Sequence, residues 1–350
     1  MRRRLLGWIS VLAFALSAGA VRAATPLSQV RVSPDVTVLL GPTVDDENVA
    51  ADNLAGTVAL QGIGTIPAGA DVDAYAVRPN GNQLLSFDTT VTLLGGVVAG
   101  PADVVRFDGA SYAIEQSASA MGVPDGVNLD ALAVKGTALL LSFDVAFDAG
   151  GLHIEPADLV LSNGGVLGAY FGASAAGIPA GLDLDGADYL DCNGHLLLSF
   201  DGSGTIGGVS FDDEDVIEFD GASTWEMSYD GSAQHAGWTG ADLDSIQATP
   251  NLGPGPPVVF GQTVVADANK TTFRWPIYVP FRLVGGEFTS STSIGTYAAT
   301  VNATAVGASF NSATPPAGSG LWFLVKPWQC TQTSWQSTLG AEPGRDTAIP

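Results

Sequence analysis

Basic residues are scarce. Lysine and arginine total 13 against 36 aspartates and glutamates, a formal net charge of −23. A surface of that sign repels nucleic acid and anionic lipid, and neither is expected as a partner. Charge of either sign is sparse too, at 14% of residues against 46% hydrophobic, which excludes a disordered polyelectrolyte. There are two cysteines, Cys192 and Cys330. They form either one bridge between the two halves of the chain or two buried thiols. The three histidines, His153, His195 and His235, lack ligand spacing, and His195, directly before a leucine-rich strand, reads as a strand-edge residue. No His-Glu-x-x-His, Gly-x-Ser-x-Gly or phosphate-binding glycine loop occurs, so no catalytic or cofactor-binding residue is assigned. Helical periodicity is missing throughout. Beyond the N-terminus no run is long and apolar enough to span a bilayer.

What is present begins with an export leader. Arg2, Arg3 and Arg4 precede an apolar stretch from Leu5 to Ala20, and Val21-Arg22-Ala23 offers small residues at the −3 and −1 positions. The apolar run falls short of the ~20 residues of a membrane anchor. Cleavage after Ala23 is expected, so that residues 1–23 form a signal peptide, with Arg2-Arg3 leaving a twin-arginine route open. Loss of the leader's four arginines takes the net charge from −23 to −27. The expected location is secreted or periplasmic, in a bacterium.

The strongest signal is a repeat. Ser-x-Asp ends a strand at Asp35, Asp88, Asp144 and Asp201, at intervals of 53, 56 and 57 residues. An acidic strand start recurs at Asn48, Asp103, Asp158 and Asp215. A Gly-x-Asp/Asn-Val/Leu-Asp corner recurs at Gly69–Asp73, Gly126–Asp130, Gly181–Asp185 and Gly240–Asp244, three times behind a proline. With 44 glycines and 20 prolines punctuating short apolar runs, each unit reads as four β-strands. Four-stranded units of this length predict propeller blades, with an open solenoid as the alternative. The phase of the ends favours closure. The region 27–250 starts in mid-unit and ends on a spare strand, Leu243 to Ala248, whose pairing with Gln29–Asp35 would complete one blade from both ends and hide the sheet edges.

The pattern GVPDGVNLDALAV, followed by a strand and then VVRFDG, resembles the hemopexin-like repeat of four-bladed propellers, or another bacterial propeller repeat. Asp73-Ala74 and Asp130-Ala131 match its inner-strand Asp-Ala, while Asp185-Gly186 and Asp244-Ser245 depart from it. The spacing between the SFD and RFD strands is longer here, and the aromatic Tyr-Trp pair is missing. The resemblance implies architecture and transfers neither haem nor a protease partner.

Residues 251–257, NLGPGPP, read as a linker. In 258–350 acids thin out and Trp275, Trp322, Trp328 and Trp335 appear. Alternating runs at Thr272–Ile277, Phe281–Val284, Tyr297–Val301 and Leu321–Val325 read as a small β-sandwich. Pro315-Pro316 through Val325, with Phe273-Arg274-Trp275 and Phe281–Gly286, resembles a fibronectin type III-like module of exported bacterial proteins, which implies an adhesive or spacer role.

The fold class expected is therefore all-β: a propeller-like array of four ~56-residue units, then a sandwich. Two acidic features suit Ca²⁺, which takes 6–8 oxygen ligands. One is the ring Asp73, Asp130, Asp185 and Asp244, which would line the channel if their strands are innermost; the other is the cluster Asp212, Asp213 and Asp215, matched by Asp45-Asp46-Glu47. The competing reading is that these carboxylates cap turns. Function then reads as an exported, non-catalytic binding or structural scaffold stabilised by calcium, with an extracellular protein or glycan as partner. The alternative is a secreted hydrolase acting on extracellular polymer through an acidic channel, which would gather its perturbed carboxylates in one cleft.

Overall fold

The computed structural model describes residues 24–191 and 193–251, and beyond them the backbone of six strands between 265 and 327. Residues 27–250 form a four-bladed β-propeller, each blade a four-stranded antiparallel sheet. Listed from the axis outward, blade 1 is Leu243–Pro250, Leu27–Pro34, Ala50–Asp52 and Val58–Leu60; blade 2 is Ala74–Val77, Gln83–Ser86, Val104–Phe107 and Tyr112–Gln116. Blade 3 is Ala131–Lys135, Ala138–Ser142, Leu159–Asn163 and Val166–Phe171; blade 4 is Leu184–Leu190, His195–Phe200, Val216–Phe219 and Trp225–Tyr229. The inner strands of successive blades touch all the way round, 1 to 2, 2 to 3, 3 to 4 and 4 to 1. Blade 1 is built as the phase of the repeat predicts. Its inner strand comes from the end of the repeat region and pairs antiparallel with the first strand, Val30 opposite Ala248 and Val32 opposite Ile246. The ring is closed, and the solenoid alternative falls.

The leucine runs explain why the blades stack. Ala138–Ser142 and His195–Phe200 are buried along their whole length, so successive side chains feed opposite faces of the sheet and both faces are covered. Leu139 and Leu141 pack toward blade 2 with Leu84, whereas Leu140 packs toward blade 4 with Leu184 and Leu198. Two further clusters of the same kind, around Val30, Val32 and Leu197 and around Tyr75, Leu85 and Phe107, complete four cores in four seams. A continuous apolar run in a short strand is the signature of this double burial.

The long spacing between the second and third strands is filled by a small extra hairpin in every blade: Val38–Leu39 with Thr43–Val44, Val91–Leu93 with Val97–Ala99, Phe147–Ala149 with Leu152–Ile154, and Gly204–Ile206 with Val209–Phe211. Single helical turns, Ala118–Met121, Ala173–Ala176 and Gly231–Gln234, carry the chain from an outer strand back to the next inner strand. None of the described helices is long and apolar enough to cross a membrane.

Four of the six C-terminal strands overlap the alternating runs, and two, Val265–Ala266 and Ser309–Asn311, lie outside them. Val265–Ala266, Thr272–Arg274 and Ser309–Asn311 form one antiparallel sheet, and Ser293–Ala303, Phe281–Ser290 and Gly320–Pro327 another. The side chains that would pack them into a sandwich, the fibronectin-like turn at 315–319, the linker from 252 onward, the leader 1–23, and Cys192 and Cys330 all lie outside the described residues. The fibronectin type III resemblance finds no support.

Candidate metal centre in the propeller channel

Two staples repeat around the ring and account for most of the recurring acids. The first joins the Ser-x-Asp aspartate to the corner ahead of an inner strand. The backbone N–H of Asp71 donates to Asp88 Oδ1 at 3.0 Å, that of Asn128 to Asp144 Oδ1 at 2.8 Å, that of Asp183 to Asp201 Oδ1 at 2.8 Å, and that of Asp242 to Asp35 Oδ1 at 2.7 Å. Each aspartate returns its own N–H to the corner carbonyl. The second staple is the acidic strand start. Asp103 accepts the N–H groups of Ala118 and Gly100, and Asp158 those of Ala173 and Glu155. Asp215 accepts those of Gly231 and Asp212. These carboxylates tie an inter-blade turn to the third strand of a blade. Both oxygens of Asp215, a residue expected to bind metal, are occupied in this way.

The corners bring the other acids together. Asp73, Asp130, Asp185 and Asp244, all at the start of inner strands, line one cavity of about 230 Å³ with Asn128. Three of the four blades therefore place an aspartate at the preceding corner position as well, Asp71, Asp183 and Asp242, and one places Asn128. Asn128 Nδ2 donates to Asp130 Oδ1 at 3.0 Å and, by a shorter bond, to Asp73. The opposite side has no such donor. Asp71 Oδ1, Asp185 Oδ2 and Asp244 Oδ2 are buried without a hydrogen-bond partner, as is Asn128 Oδ1. Asp71, Asp73 and Asp244 each offer one carboxylate oxygen within 4.8 Å of the other two.

The electrostatics follow from that geometry. No lysine, arginine or histidine lines the cavity. Burial, followed by repulsion from neighbouring carboxylates, raises Asp71 to about 8, Asp130 to about 9, and Asp185 and Asp244 to about 10. Asp73 rises less, to about 7, because the Asn128 amide stabilises its charge. Buried carboxylates without a counter-charge have two ways to settle: take up protons or share a cation.

The acidity is lopsided. Asp46 repels Asp71 and Asp213 repels Asp242, both next to blade 1. At the places equivalent to Asp46 and Asp213 the other two units carry Pro101 and Pro156. Of the sequence-expected cluster, Asp213 thus acts on the rim while Asp212 and Asp215 belong to a turn; none of the three lines the cavity. Sequence reading missed Asp71 and its counterparts, although the same Gly-x-Asp-x-Asp motif carries them two residues before Asp73, Asp130, Asp185 and Asp244.

The histidines stay out of the channel. His195 is 4% exposed and bonds Glu218, so it is a core residue rather than the strand-edge residue expected; Glu218 is held in turn by the N-terminal segment, Thr25 donating to it through both N–H and Oγ1 at 2.6 Å. His235 bonds buried Asp52 at 2.9 Å, and His153 bridges exposed Asp148 and Glu155.

No known family model matches this chain, and no curated protein does. Among solved structures it is similar to YCF48 bound to D1 peptide, at 7% identity and a TM-score of 0.28 over 62% of this chain and 85% of the other. It is similar to a protein of unknown function from Bacteroides caccae, at 10% identity and 0.23 over 79% and 73%. A third is the extracellular domain of the putative hybrid two-component system BT4673 from B. thetaiotaomicron, at 9% identity and 0.26 over 67% of this chain and 29% of the other. At these scores the assignment as a four-bladed β-propeller stands on this chain's own sheet order and inner-strand contacts.

Proposed function

We propose that this chain is an exported, non-catalytic scaffold whose propeller is locked by a divalent cation, Ca²⁺, held in the channel. The observation that carries the reading is the set of buried, partnerless oxygens of Asp185 and Asp244 in a cavity lined by no positive side chain, with Asp71, whose Oδ1 is likewise buried and partnerless, close beside Asp73 and Asp244. Asp71, Asp73 and Asp244 are the first ligands, Asp185 and the carbonyl oxygen of Asn128 complete the wall, and water fills the remaining positions. A flexible shell of hard oxygens suits Ca²⁺ better than the smaller Mg²⁺, which demands near-ideal octahedral geometry. Asp212, Asp213 and Asp215 drop out as direct ligands in this reading.

The hydrolase reading has one observation in its favour, the gathering of raised-pKa carboxylates in one place. Size tells against it. About 230 Å³ lies below the 300–1,000 Å³ typical of ligand pockets and far below what a polymer chain needs. The acids also recur in all four blades, as a structural ring requires, instead of forming one pair.

Thermal unfolding of the protein in excess EDTA and then in Ca²⁺ tests the scaffold reading. A ligand that binds only the native state adds about 2.7 kcal/mol at 100 times its Kd, which is a rise of about 5–10 °C for a domain of this size. Equal melting temperatures in the two conditions would return the ring to turn-capping alone.

A further inference from the structure

The four seams of the propeller are equivalent by construction, but the one between blades 3 and 4 is wider than the one between blades 2 and 3. Between blades 3 and 4, on the face where the acidic corners lie, a groove of about 900 Å³ runs from Glu155 to Asp183 and Asp201. The same place between blades 2 and 3 holds about 360 Å³. The larger groove has an apolar floor of Ala157, Ala173 and Ile178, all buried, with half-buried Leu182 at its inner end. Its rim is acidic, with Glu155, Asp183 and Asp201, and no lysine, arginine or histidine lines it. A volume in the upper part of the range for ligand sites, mostly apolar with a few convergent charges, is the form of a binding groove.

We infer that this groove docks a segment of a partner protein in which basic and apolar side chains alternate. Apolar side chains would cover Ile178 and Leu182, and lysine or arginine would extend along the rim to Asp183 and Asp201, their aliphatic stems on the floor. Charge complementarity selects this occupant, because an acidic rim rejects acidic segments and an apolar floor leaves a purely charged one without packing. None of the groove's lining residues is among those that would hold the channel ion, Asp71, Asp73, Asp185, Asp244 and Asn128, although Asp183 lies two residues from Asp185.

The test is fluorescence anisotropy with a labelled Lys-Leu-Lys-Leu-Lys-Leu peptide and with labelled hexalysine, each titrated with the full chain in EDTA and in Ca²⁺. Saturable binding of the alternating peptide, tighter than hexalysine and unchanged between EDTA and Ca²⁺, is expected. Ser174 lines this groove and Ser119 its smaller counterpart, and both are exposed. Ser174→Arg, which places a like charge in the site, should weaken the alternating peptide by about tenfold, and Ser119→Arg by less than about twofold. Hexalysine binding as tightly as the alternating peptide, equal losses in the two variants, or no saturable binding would each overturn the inference.

Discussion

Asp242 and Asp35 lie 207 residues apart and hold each other across the closing seam: the Asp242 N–H donates to Asp35 Oδ1 at 2.7 Å, and the Asp35 N–H donates to the Asp242 carbonyl at 3.2 Å. In the other three blades the same bond joins residues 16 to 18 apart. Here it ties the two ends of the propeller together.

The bond needs the acceptor and not the charge. Asp35→Asn keeps an Oδ1 and removes one source of repulsion on Asp242, so its stability in urea should stay within about 0.5 kcal/mol of the parent. Asp35→Ala leaves the Asp242 N–H without its acceptor and should cost about 1–3 kcal/mol. Equal losses in the two variants would assign the effect to charge.

Acidity should stabilise the metal-free protein through the ring. Asp71, Asp130, Asp185 and Asp244 have folded-state pKa values raised to between about 8 and 10, above the value near 3.9 of an unfolded chain. The folded state therefore binds more protons across the window between those values, and stability falls as pH rises through it. In EDTA the melting temperature should be lower at pH 8 than at pH 5. Saturating Ca²⁺ should flatten that slope, since the ion replaces the protons. A melting temperature that holds or climbs from pH 5 to pH 8 in EDTA contradicts the raised values.

Asp185→Asn/Asp244→Asn separates the two roles open to the ring. The amides replace, at nearly constant shape, two carboxyls that must take up protons on folding at pH 8 or else share a cation. If the acids serve a cation, the double variant melts higher than the parent in EDTA at pH 8 and loses the Ca²⁺ response. If they only cap turns, it melts lower under both conditions.

Gly186 breaks the Asp-Ala pattern of blades 2 and 3 for a steric reason. A Cβ there would sit 2.4 Å from Ser199 Oγ and 3.2 Å from the backbone N of Ile246, in the neighbouring inner strand of blade 1. Gly186→Ala should cost about 1–3 kcal/mol in urea unfolding. A loss under about 0.5 kcal/mol would mean that the seam between blades 4 and 1 is looser than these distances require.

Much of the architecture was legible because a repeat multiplies a faint signal by four. The order of corner, leucine strand and acidic strand start, and the out-of-phase ends, foretold the blade from both termini that the Val30–Ala248 register realises. The channel was half legible. Asp73, Asp130, Asp185 and Asp244 do converge. The repeated Asp35, Asp88, Asp144 and Asp201 turned out to be backbone acceptors, a role that sequence cannot distinguish from a ligand's because both use a carboxylate at a turn. What was missed depends on breaks in the symmetry. Asn128 in place of an aspartate, Pro101 and Pro156 at the places where the other units carry Asp46 and Asp213, and the enlarged seam beside Ile178 gain meaning only when the four corners are seen around one axis. His195 misled for a related reason: its partner Glu218 is held by Thr25, from a segment 170 residues away from His195.

Calorimetric titration of Ca²⁺ into the EDTA-stripped, dialysed protein at pH 8 is the most direct test of a cation-locked channel, run beside the Asp73→Asn and Asp244→Asn variants and in two buffers of different ionisation enthalpy. The channel geometry predicts one saturable site, heats that differ between the buffers because ring aspartates release protons on binding, and loss of the site in both variants. Absence of saturable binding up to millimolar Ca²⁺, or a site that survives both substitutions, would contradict it.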